Sequence, residues 1–392
     1  MTLLLVLGRI WLIRLAFLAA RMLPIRRRVV LATSHASHIE GNLASIQAEL
    51  KRRRPAVAVS TLAYRAAPGP VGLARTALNE VRAAFQLATA RAFIVDDYFF
   101  PIYAIQPRAG TTIVQAWHAC GAFKKFGHSV LDKSFGAERA LTDRVRIHTN
   151  YDVCLVSSRS AAVCYAEAFR QPLERFVWDL GIPRTDLLFG DRRTAAAAEV
   201  IRRRYAISSD RRVVLYAPTF RGERTTSARH PQDLDLHVLR STLGDDHVLL
   251  VRLHPFVRAG FAVDADLAGF AIDVSDHPEV NELMLVSDVL ITDYSSVIFE
   301  FALLGRPIVF FAPHHEQYEA ERGFYFDYRL EGPGPVFETA EALAAHLRAG
   351  DFDTQRVERF RDRWFEIADG HATERVVDRL VLPALAGRGG EA

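Results

Sequence analysis

The stretch from residue 288 to residue 311 carries the most informative chemistry in this sequence. It reads DVLITDYSSVIFEFALLGRPIVFF, an apolar run that ends at Asp293 and is followed by Ser295 and Ser296 at the start of a predicted helix. Serine hydroxyls beside free backbone N–H groups and the positive end of a helix dipole can bind an anion. Plain N-capping of the helix is the alternative interpretation.

Two histidines also follow apolar runs. In VLLVRLHPFV, Arg252 and His254 are two residues apart and therefore share one face of a strand end. A cation and an imidazole on the same face can bind a phosphate. A solvated strand end is the alternative interpretation. In VQAWHACGAFKKFG, His118 stands just past a run, before Lys124 and Lys125. With a reference pKa near 6.5, a histidine is mostly neutral at pH 7 and can act as a general base toward a hydroxyl.

Other patterns argue against metal and cofactor chemistry. His35 and His38 lack a third ligand at useful spacing, and the Asp-x-Asp triplets, among them Asp264 with Asp266, follow no convincing strand. Neither a G-x-x-x-x-G-K-[ST] loop nor a G-x-G-x-x-G fingerprint occurs, which argues against a P-loop NTPase and a nicotinamide enzyme. We predict no metal site and no cofactor, and leave a requirement for a divalent ion open.

Short apolar runs rich in β-branched residues recur along the chain, separated by helix-like stretches. Such continuous runs are typical of parallel sheets covered by helices, and ligands bind beyond the carboxyl ends of their strands. The predicted strands are residues 29–33, 56–62, 92–95, 111–117, 153–156, 175–180, 213–217, 248–253, 271–274, 289–292 and 307–311.

The length of 392 residues, half of them hydrophobic and 24% charged, predicts two globular domains. An Arg/Ala-rich stretch over 190–209 predicts a linking helix with the boundary near residue 190. We expect an α/β protein with two doubly wound Rossmann-like domains facing across a cleft: residues 26–190 and residues 191–385. Helices over 354–368 and 371–385 are expected to pack back across the boundary.

The N-terminal segment, residues 1–25, is expected to be a membrane-associating helix. Residues 3–23 are long enough to span a bilayer, but a central Arg costs about 2.5–3.5 kcal/mol, and Arg9 and Arg14 cancel what the apolar residues return. A helix lying in the interface keeps those guanidinium groups wet; a helix that docks on the protein's own core is the alternative. Whether the segment spans or lies on the membrane stays open.

The charge distribution supports an anionic partner at this end. Residues 1–100 carry 14 Lys or Arg and five Asp or Glu, whereas the rest of the chain is net acidic. We expect an anionic membrane surface as a partner and no nucleic acid, because no basic stripe is sustained. Three cysteines cannot form a disulfide framework, which fits a reducing compartment.

Taken in order, these motifs resemble those of the CDP-glycerol glycerophosphotransferase family of teichoic acid synthesis. The resemblance implies a GT-B-like architecture, in which residues 26–190 bind the acceptor of the transferred group and residues 191–385 bind its CDP-linked donor. It also implies a peripheral position at the cytoplasmic face of the cell membrane. It rests on nine blocks of this sequence: HIEGNLASI, IVQAWHACGAFKKFG, YDVCLVSS, LGIPRTDLL, VLYAPTFRG, VRLHPF, SDVLITDYSSVIFEFALLGRPIVFF, ERGFYFDY and ADGHATERV.

The resemblance also implies a reaction. An acceptor hydroxyl attacks the glycerol-bearing phosphate of CDP-glycerol and releases CMP, and the acceptor is a lipid-linked saccharide or a growing polyol-phosphate chain. The motif histidines fall on His118, the candidate base, and His254, which stabilises the transferred phosphate. Ser295 and Ser296 match the family's pyrophosphate-binding pair.

Further site residues follow from the same blocks. Arg252, Thr219, Arg221 and Asp293 are assigned to donor binding, and the acceptor loop comprises Trp117, Gly121, Lys124 and Lys125. A common form of the first histidine motif is W-H-G-T-x-x-K, whereas this chain reads WHACGAFKK, with the lysines one place later. The departure leaves ribitol phosphate open as the transferred group. A sugar-nucleotide glycosyltransferase or epimerase on a GT-B scaffold is the remaining alternative, and the sequence does not separate a primase from a polymerase.

Overall fold

Two six-stranded sheets organise the part of the chain described by the computed structural model, which is residues 3–65, 67, 69–130, 145–221, 233–254, 257 and 262–386. Contacts between Cα atoms divide the chain into two compact units. Unit 1 comprises Met1–Cys120, Phe126–Asp186 and the segment that begins at Glu366; unit 2 comprises Gly121–Lys125 and Leu187–Phe365.

The sheet of unit 1 is parallel throughout, with the order β2-β1-β3-β4-β5-β6. The direction of strand addition reverses between β1 and β3, and in such sheets ligands bind where the order reverses. Its strands are β1 (Arg26–Thr33), β2 (Ala58–Ala63), β3 (Ala90–Val95), β4 (Thr112–Gln115), β5 (Val153–Leu155) and β6 (Phe176–Val177).

The sheet of unit 2 is also parallel, with the order β12-β11-β10-β7-β8-β9 and its reversal between β7 and β10. Buried aliphatic side chains of the central strands, such as Leu249 and Ile291, form its core. Its strands are β7 (Arg212–Tyr216), β8 (His247–Val251), β9 (Ala271–Asp273), β10 (Val289–Thr292), β11 (Ile308–Phe311) and β12 (Val336–Phe337).

Each of the eleven predicted runs overlaps one of these strands. The sequence missed β12, because two half-buried residues are too short a run to show any periodicity. The expectation of an α/β protein with two parallel-sheet domains is confirmed.

Helices connect the strands, and the linking helix predicted over 190–209 corresponds to α6. The described helices are α1 (Leu3–Ala20), α2 (Gly41–Arg53), α3 (Gly69–Thr89), α4 (Phe100–Ala104), α5 (Arg159–Phe169), α6 (Asp191–Arg204), α7 (Leu236–Leu243), α8 (Val280–Val286), α9 (Val297–Ala302), α10 (His315–Arg322), α11 (Tyr328–Glu331), α12 (Ala340–Ala349), α13 (Thr354–Trp364), α14 (Ala372–Val376) and α15 (Leu382–Ala386).

The C-terminal helices α14 and α15 belong to unit 1, whereas the sequence assigned residues 366–385 to the second domain. A capping interaction explains the difference. The carboxylate of Asp186 accepts hydrogen bonds from the backbone N–H groups of Ala372 (2.9 Å) and Thr373 (2.7 Å), at the start of α14. Asp186 therefore satisfies N–H groups that the helix itself leaves unpaired, and joins the C-terminal segment to unit 1.

The N-terminal helix α1 buries one face against α3 in unit 1. Ile10, Ile13 and Phe17 are at most 4% exposed on that face. None of the helices in the described ranges is long and apolar enough to cross a membrane. The opposite face leaves large apolar side chains in solvent: Leu5, Trp11, Leu12, Leu15 and Leu18.

Arg14 is exposed and Arg9 is half-buried, and both also have partners within unit 1. The Arg9 Nε donates to the Glu80 carboxylate at 2.6 Å, and the Arg14 Nε donates to the Ala104 carbonyl at 2.8 Å. Glu80 is 1% exposed, and a buried carboxylate is costly unless a cation is paired with it. Arg9 therefore stabilises the packing of α1 on unit 1.

Candidate active site

In unit 1, three neighbouring strands deliver polar side chains to the carboxyl edge of the sheet. His35 follows β1, Asp96 and Asp97 follow β3, and His118 follows β4. Because the strand order reverses between β1 and β3, this edge is where an open parallel sheet is expected to bind a ligand. The predicted base His118 therefore lies at a favourable place in the fold.

The turn that carries His118 is held by two amide side chains. Trp117 has a left-handed backbone with φ of 48°, which costs a non-glycine residue about 1–3 kcal/mol. Its N–H donates to the Gln115 side chain at 2.9 Å, and the Asn42 amide donates to the carbonyls of Ala116 (3.0 Å) and Trp117 (2.8 Å). Asn42 is buried, so these bonds fix the turn firmly.

The geometry of the His118 ring leaves one nitrogen available for catalysis. Its Nδ1 lies 3.1 Å from the carbonyl oxygen of Asp96, and a carbonyl can only accept a hydrogen bond, so Nδ1 carries the proton. The side chain is 46% exposed at its edge. Desolvation by the surrounding protein and the nearby His35 lower the pKa of His118, and the Asp97 carboxylate opposes them. Neutral His118 thus has its Nε2 lone pair ready to accept a proton.

Trp117, which the sequence assigned to the acceptor loop, is 5% exposed. Its ring stacks on His118 at 4.8 Å between centroids and packs against Phe126 and Phe169. The side chain therefore supports the ring of His118 from within unit 1.

In unit 2, the predicted donor residues follow β7 and β10, the two strands between which the order reverses. Asp293 is buried, and its carboxylate accepts hydrogen bonds from the Thr219 N–H (2.8 Å), the Thr219 hydroxyl (2.9 Å) and the Arg221 Nη1 (2.7 Å). Burial disfavours the charged guanidinium, but Asp293 outweighs burial and raises the pKa of Arg221. Asp293 thus positions Thr219 and Arg221 with its carboxylate.

Ser295 and Ser296 immediately precede α9. The Ser296 side chain makes no capping hydrogen bond, and the Ser295 hydroxyl accepts only a long bond, 3.4 Å, from the N–H of Val297. Both serines are half-buried. The structure therefore does not support strong N-capping by these hydroxyls, and α9 ends at Ala302.

His254 and Arg252 follow β8, beside β7. The Arg252 Nη1 donates to the Leu253 carbonyl at 2.8 Å, and the His254 ring lies 4.9 Å from the ring of Phe220. Burial, followed by the positive charges of Lys124 and Arg252, lowers the pKa of His254 to about 4. His254 is therefore a neutral imidazole at pH 7 in a positively charged environment.

The acceptor-loop segment Gly121–Lys125 belongs to unit 2, where it pairs with the ERGFYFDY block. Lys124 forms an antiparallel bridge with Phe324, and the Lys125 N–H donates to the Gly323 carbonyl at 3.0 Å. The Lys124 ammonium lies 3.4 Å from the hydroxyl of Tyr318. These contacts hold Lys124 where its charge acts on His254.

Gly121 is required by packing. A Cβ atom at this position would lie 2.2 Å from the Phe299 ring, far inside contact distance. The glycine lets α9 approach the segment, so its role in the structure is close packing within unit 2.

One group of side chains has ligand spacing for a metal among the residues that the structure describes. His237, Asp264 and Asp266 each offer an atom within 4.8 Å of the others, and all three are exposed. The two ring nitrogens of His237 each lie 3.3 Å from an oxygen of one of these carboxylates.

Sequence reasoning missed residues that organise the His118 site. The rule that ligands bind after strand ends applies to Asp96 and Asp97 just as it does to His118. Asn42 had no such signal, because its role depends on the turn at residue 117. The missed residues are His35, Asn42, Asp96, Asp97, Gln115 and Arg184, whose Nη1 donates to the His118 carbonyl at 2.7 Å.

Comparison with known families identifies the family of this chain. Residues 15–382 match the family model described as CDP-Glycerol:Poly(glycerophosphate) glycerophosphotransferase. The chain belongs to this glycerophosphotransferase family. The expected membership is thereby confirmed, and with it an enzyme of teichoic acid phosphotransfer type, whereas the expected CDP-glycerol specificity stays a prediction.

Curated members of the glycerophosphotransferase family differ in the polyol named. A teichoic acid ribitol-phosphate primase of Bacillus spizizenii is 36% identical, with 92% of each chain covered. A teichoic acid poly(glycerol phosphate) polymerase of Bacillus subtilis is 30% identical over 76% of this chain and 40% of its own length. A structure of the wall teichoic acid polymerase TagF has a TM-score of 0.75 at 24% identity, covering 92% and 89% of the chains, and shares the GT-B-like fold.

Proposed function

We propose that this protein transfers ribitol phosphate from CDP-ribitol to a hydroxyl group of a lipid-linked acceptor and releases CMP. The similarity to a ribitol-phosphate primase over 92% of both chains carries the choice of ribitol. Glycerol phosphate, the first expectation from the motifs, is the second candidate. Relatives named for glycerol phosphate align with 76% of this chain, less than the ribitol-phosphate primase does.

In the proposed reaction, His118 is the general base. The acceptor oxygen attacks the phosphorus that bears the alditol, the bond from that phosphorus to the CMP oxygen breaks, and the hydroxyl proton moves to the His118 Nε2. The Nδ1–H bond to the Asp96 carbonyl supports this role, since it leaves Nε2 unprotonated in the neutral ring. A base of this kind contributes about 10²–10⁴-fold to the rate.

The proposed donor-binding residues lie in unit 2. Arg221 is held by Asp293, and Ser295 with Ser296 place two hydroxyls at the carboxyl end of β10. These groups suit a diphosphate, whose charge needs fixed donors and cations. His254, neutral at pH 7, donates a hydrogen bond to a phosphate oxygen, while Lys124 supplies positive charge nearby.

We also propose a peripheral position at the cytoplasmic face of the membrane. Trp11, Leu15 and Leu18 are 55–60% exposed on one face of α1, and the exposed Arg26 and Arg27 follow the helix. Apolar side chains with adjacent cations bind the interface of anionic bilayers. Replacing Leu15 and Leu18 together by Ser should abolish flotation with phosphatidylglycerol vesicles. The control is Leu330→Ser, at an exposed leucine of unit 2, which should still float. Equal flotation of the unmodified protein and both variants contradicts the proposal.

Product masses test the reaction. The purified full chain is incubated with CDP-ribitol, or with CDP-glycerol, and a lipid-linked disaccharide. We expect CMP and an acceptor enlarged by ribitol phosphate, and the number of units added distinguishes one transfer from many. Preferred use of CDP-glycerol assigns the donor to the second candidate. Release of a nucleoside diphosphate from a sugar nucleotide, or no transfer from either donor, refutes the proposal.

A further inference from the structure

Two histidines of unit 1 share one carboxylate. The Nδ1 of His35 lies 3.3 Å from the Asp97 Oδ2, and the Nδ1 of His118 lies 3.9 Å from the Asp97 Oδ1. The two rings are 5.8 Å apart between centroids. One oxygen of Asp97 therefore faces each imidazole, at the edge where β1, β3 and β4 end.

The surroundings of His35 favour its doubly protonated form. Its Nδ1 also lies 2.8 Å from the Thr33 hydroxyl, and its Nε2 lies 3.6 Å from the Glu40 Oε1. With a carboxylate near each ring nitrogen, an imidazolium is the form that satisfies both sides. The pKa of His35 is raised: desolvation alone would lower it, but Glu40, Asp96 and Asp97 together outweigh that effect.

His118 has a different balance. Its Nδ1 faces a carbonyl and the more distant Asp97 oxygen, while no carboxylate of the described residues forms an ion pair with its Nε2. A charged His35 nearby disfavours a second positive charge, which keeps His118 neutral before reaction. Asp97 acts in the opposite direction and stabilises the charge once His118 has accepted a proton.

We propose that Asp97 and His35 are positioning residues that set the tautomer and the proton affinity of His118. The charge of Asp97, beside the Nδ1–H that the Asp96 carbonyl accepts, favours that tautomer and the imidazolium, whereas His35 orients Asp97 and opposes the imidazolium. This inference rests on the proposed role of His118 as base. Among the described residues, the other charged or titratable groups near the pair are Asp96, Glu40, Tyr98, Arg65 and Arg184, while His38 contacts Glu40.

Nitrogen-15 NMR of the full chain tests the arrangement without any substrate. With His118 assigned by comparison with His118→Gln, we expect the Nδ1–H tautomer in the unmodified protein. Asp97→Asn should lower the pKa of His118 and His35→Gln should raise it, each by about one pH unit, because opposite charges are removed. The matched control is His38→Gln: His38 is 71% exposed on the same loop and pairs with Glu40, so His118 should titrate unchanged.

Kinetics provide the second readout. With the donor that supports transfer, Asp97→Asn should lower kcat about 10-fold or more at an unchanged KM for the donor, and its acidic limb should move to lower pH. Asp97→Glu should recover part of the rate.

The outcomes separate this inference from the proposed function. An Nε2–H tautomer in the unmodified protein overturns the inference, as do shifts of the same sign in the two variants; the unmodified protein gives this answer even where a variant fails to fold. Normal titration shifts in a protein that transfers no alditol phosphate leave the arrangement standing and refute the proposed function instead.

Discussion

His118 and His254 both lie just after a strand at the carboxyl edge of a parallel sheet, on opposite sides of the reversal in strand order, and their surroundings have opposite charge. His118 lies near the Asp97 carboxylate and the Asp96 carbonyl. His254 lies near Lys124 and Arg252. Each sheet presents a histidine at its carboxyl edge, while the neighbouring side chains determine what the imidazole can do.

The difference assigns different work to the two rings. A histidine beside a carboxylate can take a proton and have the resulting charge stabilised, as a general base must. A histidine among cations resists protonation, and the same cations attract phosphate. This contrast is what the proposed roles require, namely proton transfer in unit 1 and binding of an anionic donor in unit 2.

Removing either imidazole is the strongest challenge to this comparison. We expect His118→Ala and His254→Ala each to lower turnover about 10²-fold or more, the scale of general-base and electrostatic catalysis. Initial rates of CMP release measure the effect. His371→Ala, an exposed histidine of unit 1, is the control and should keep its rate. A near-normal rate in a folded His118 or His254 variant would exclude that residue's role.

A second test compares the carboxylates of the two units. Arg221→Met leaves the buried Asp293 carboxylate without its cation and should destabilise the protein by about 3 kcal/mol. This is the lower limit expected for breaking a buried ion pair, because the Arg221 side chain is 27% exposed. Asp97→Asn, at a carboxylate that is 19% exposed, should cost about 1 kcal/mol or less. Urea unfolding followed by circular dichroism measures both. Equal losses would show that the two carboxylates do not differ in structural role.

A third test concerns the segment Gly121–Lys125. Gly121→Ala places a methyl group against Phe299 and should destabilise unit 2 by about 1–3 kcal/mol, the cost of overpacking. Adding Phe299→Leu should recover part of the loss. Gly8→Ala in α1, where no atom lies within 4 Å of the new Cβ, should instead be neutral or stabilising by about 0.5–1 kcal/mol. If Gly121→Ala is as well tolerated as Gly8→Ala, the segment is not packed as described.

The smallest expected effect is on the pH dependence of stability, and it has opposite signs at two histidines. The pKa of His254 is lowered to about 4. Its contribution to the free energy of unfolding is therefore present above pH 6.5 and is lost as the pH falls toward 4. The pKa of His35 is raised. Its contribution to the free energy of unfolding is therefore present below pH 6.5 and is lost as the pH rises through the raised pKa.

Thermal unfolding between pH 5 and pH 8 measures this contrast. Compared with the unmodified protein, His254→Gln should lose less stability on acidification, and His35→Gln should lose less on going to alkaline pH. Parallel profiles for the two variants would contradict the assigned environments.

Much of the fold followed from local patterns. Continuous apolar runs marked eleven strands, and the strand-end rule placed His118, His254, Thr219, Arg221 and Asp293 at the sheet edges, because parallel sheets bury their strands and expose their carboxyl ends. The same rule pointed to Asp96 and Asp97, which the sequence analysis did not use.

The rest depends on contacts between residues far apart in the sequence. Lys124 pairs with Phe324, so the segment Gly121–Lys125, from the first half of the sequence, lies in unit 2. Asp186 caps α14, so the C-terminal helices lie in unit 1. The pairing of Arg9 with buried Glu80 spans 71 residues. Periodicity and composition carry no information on such partners, so only the structure reveals them.

Equilibrium binding of the donor tests the division of labour between the two histidines most directly. Isothermal titration calorimetry would compare the affinity for CDP-ribitol, with CDP-glycerol as a second ligand, in His118→Gln and His254→Gln. The account predicts a Kd within about threefold of the unmodified protein for His118→Gln, and a Kd weakened about tenfold or more for His254→Gln, the loss of a hydrogen bond to a charged group. Weakened binding in His118→Gln with unchanged binding in His254→Gln would contradict it.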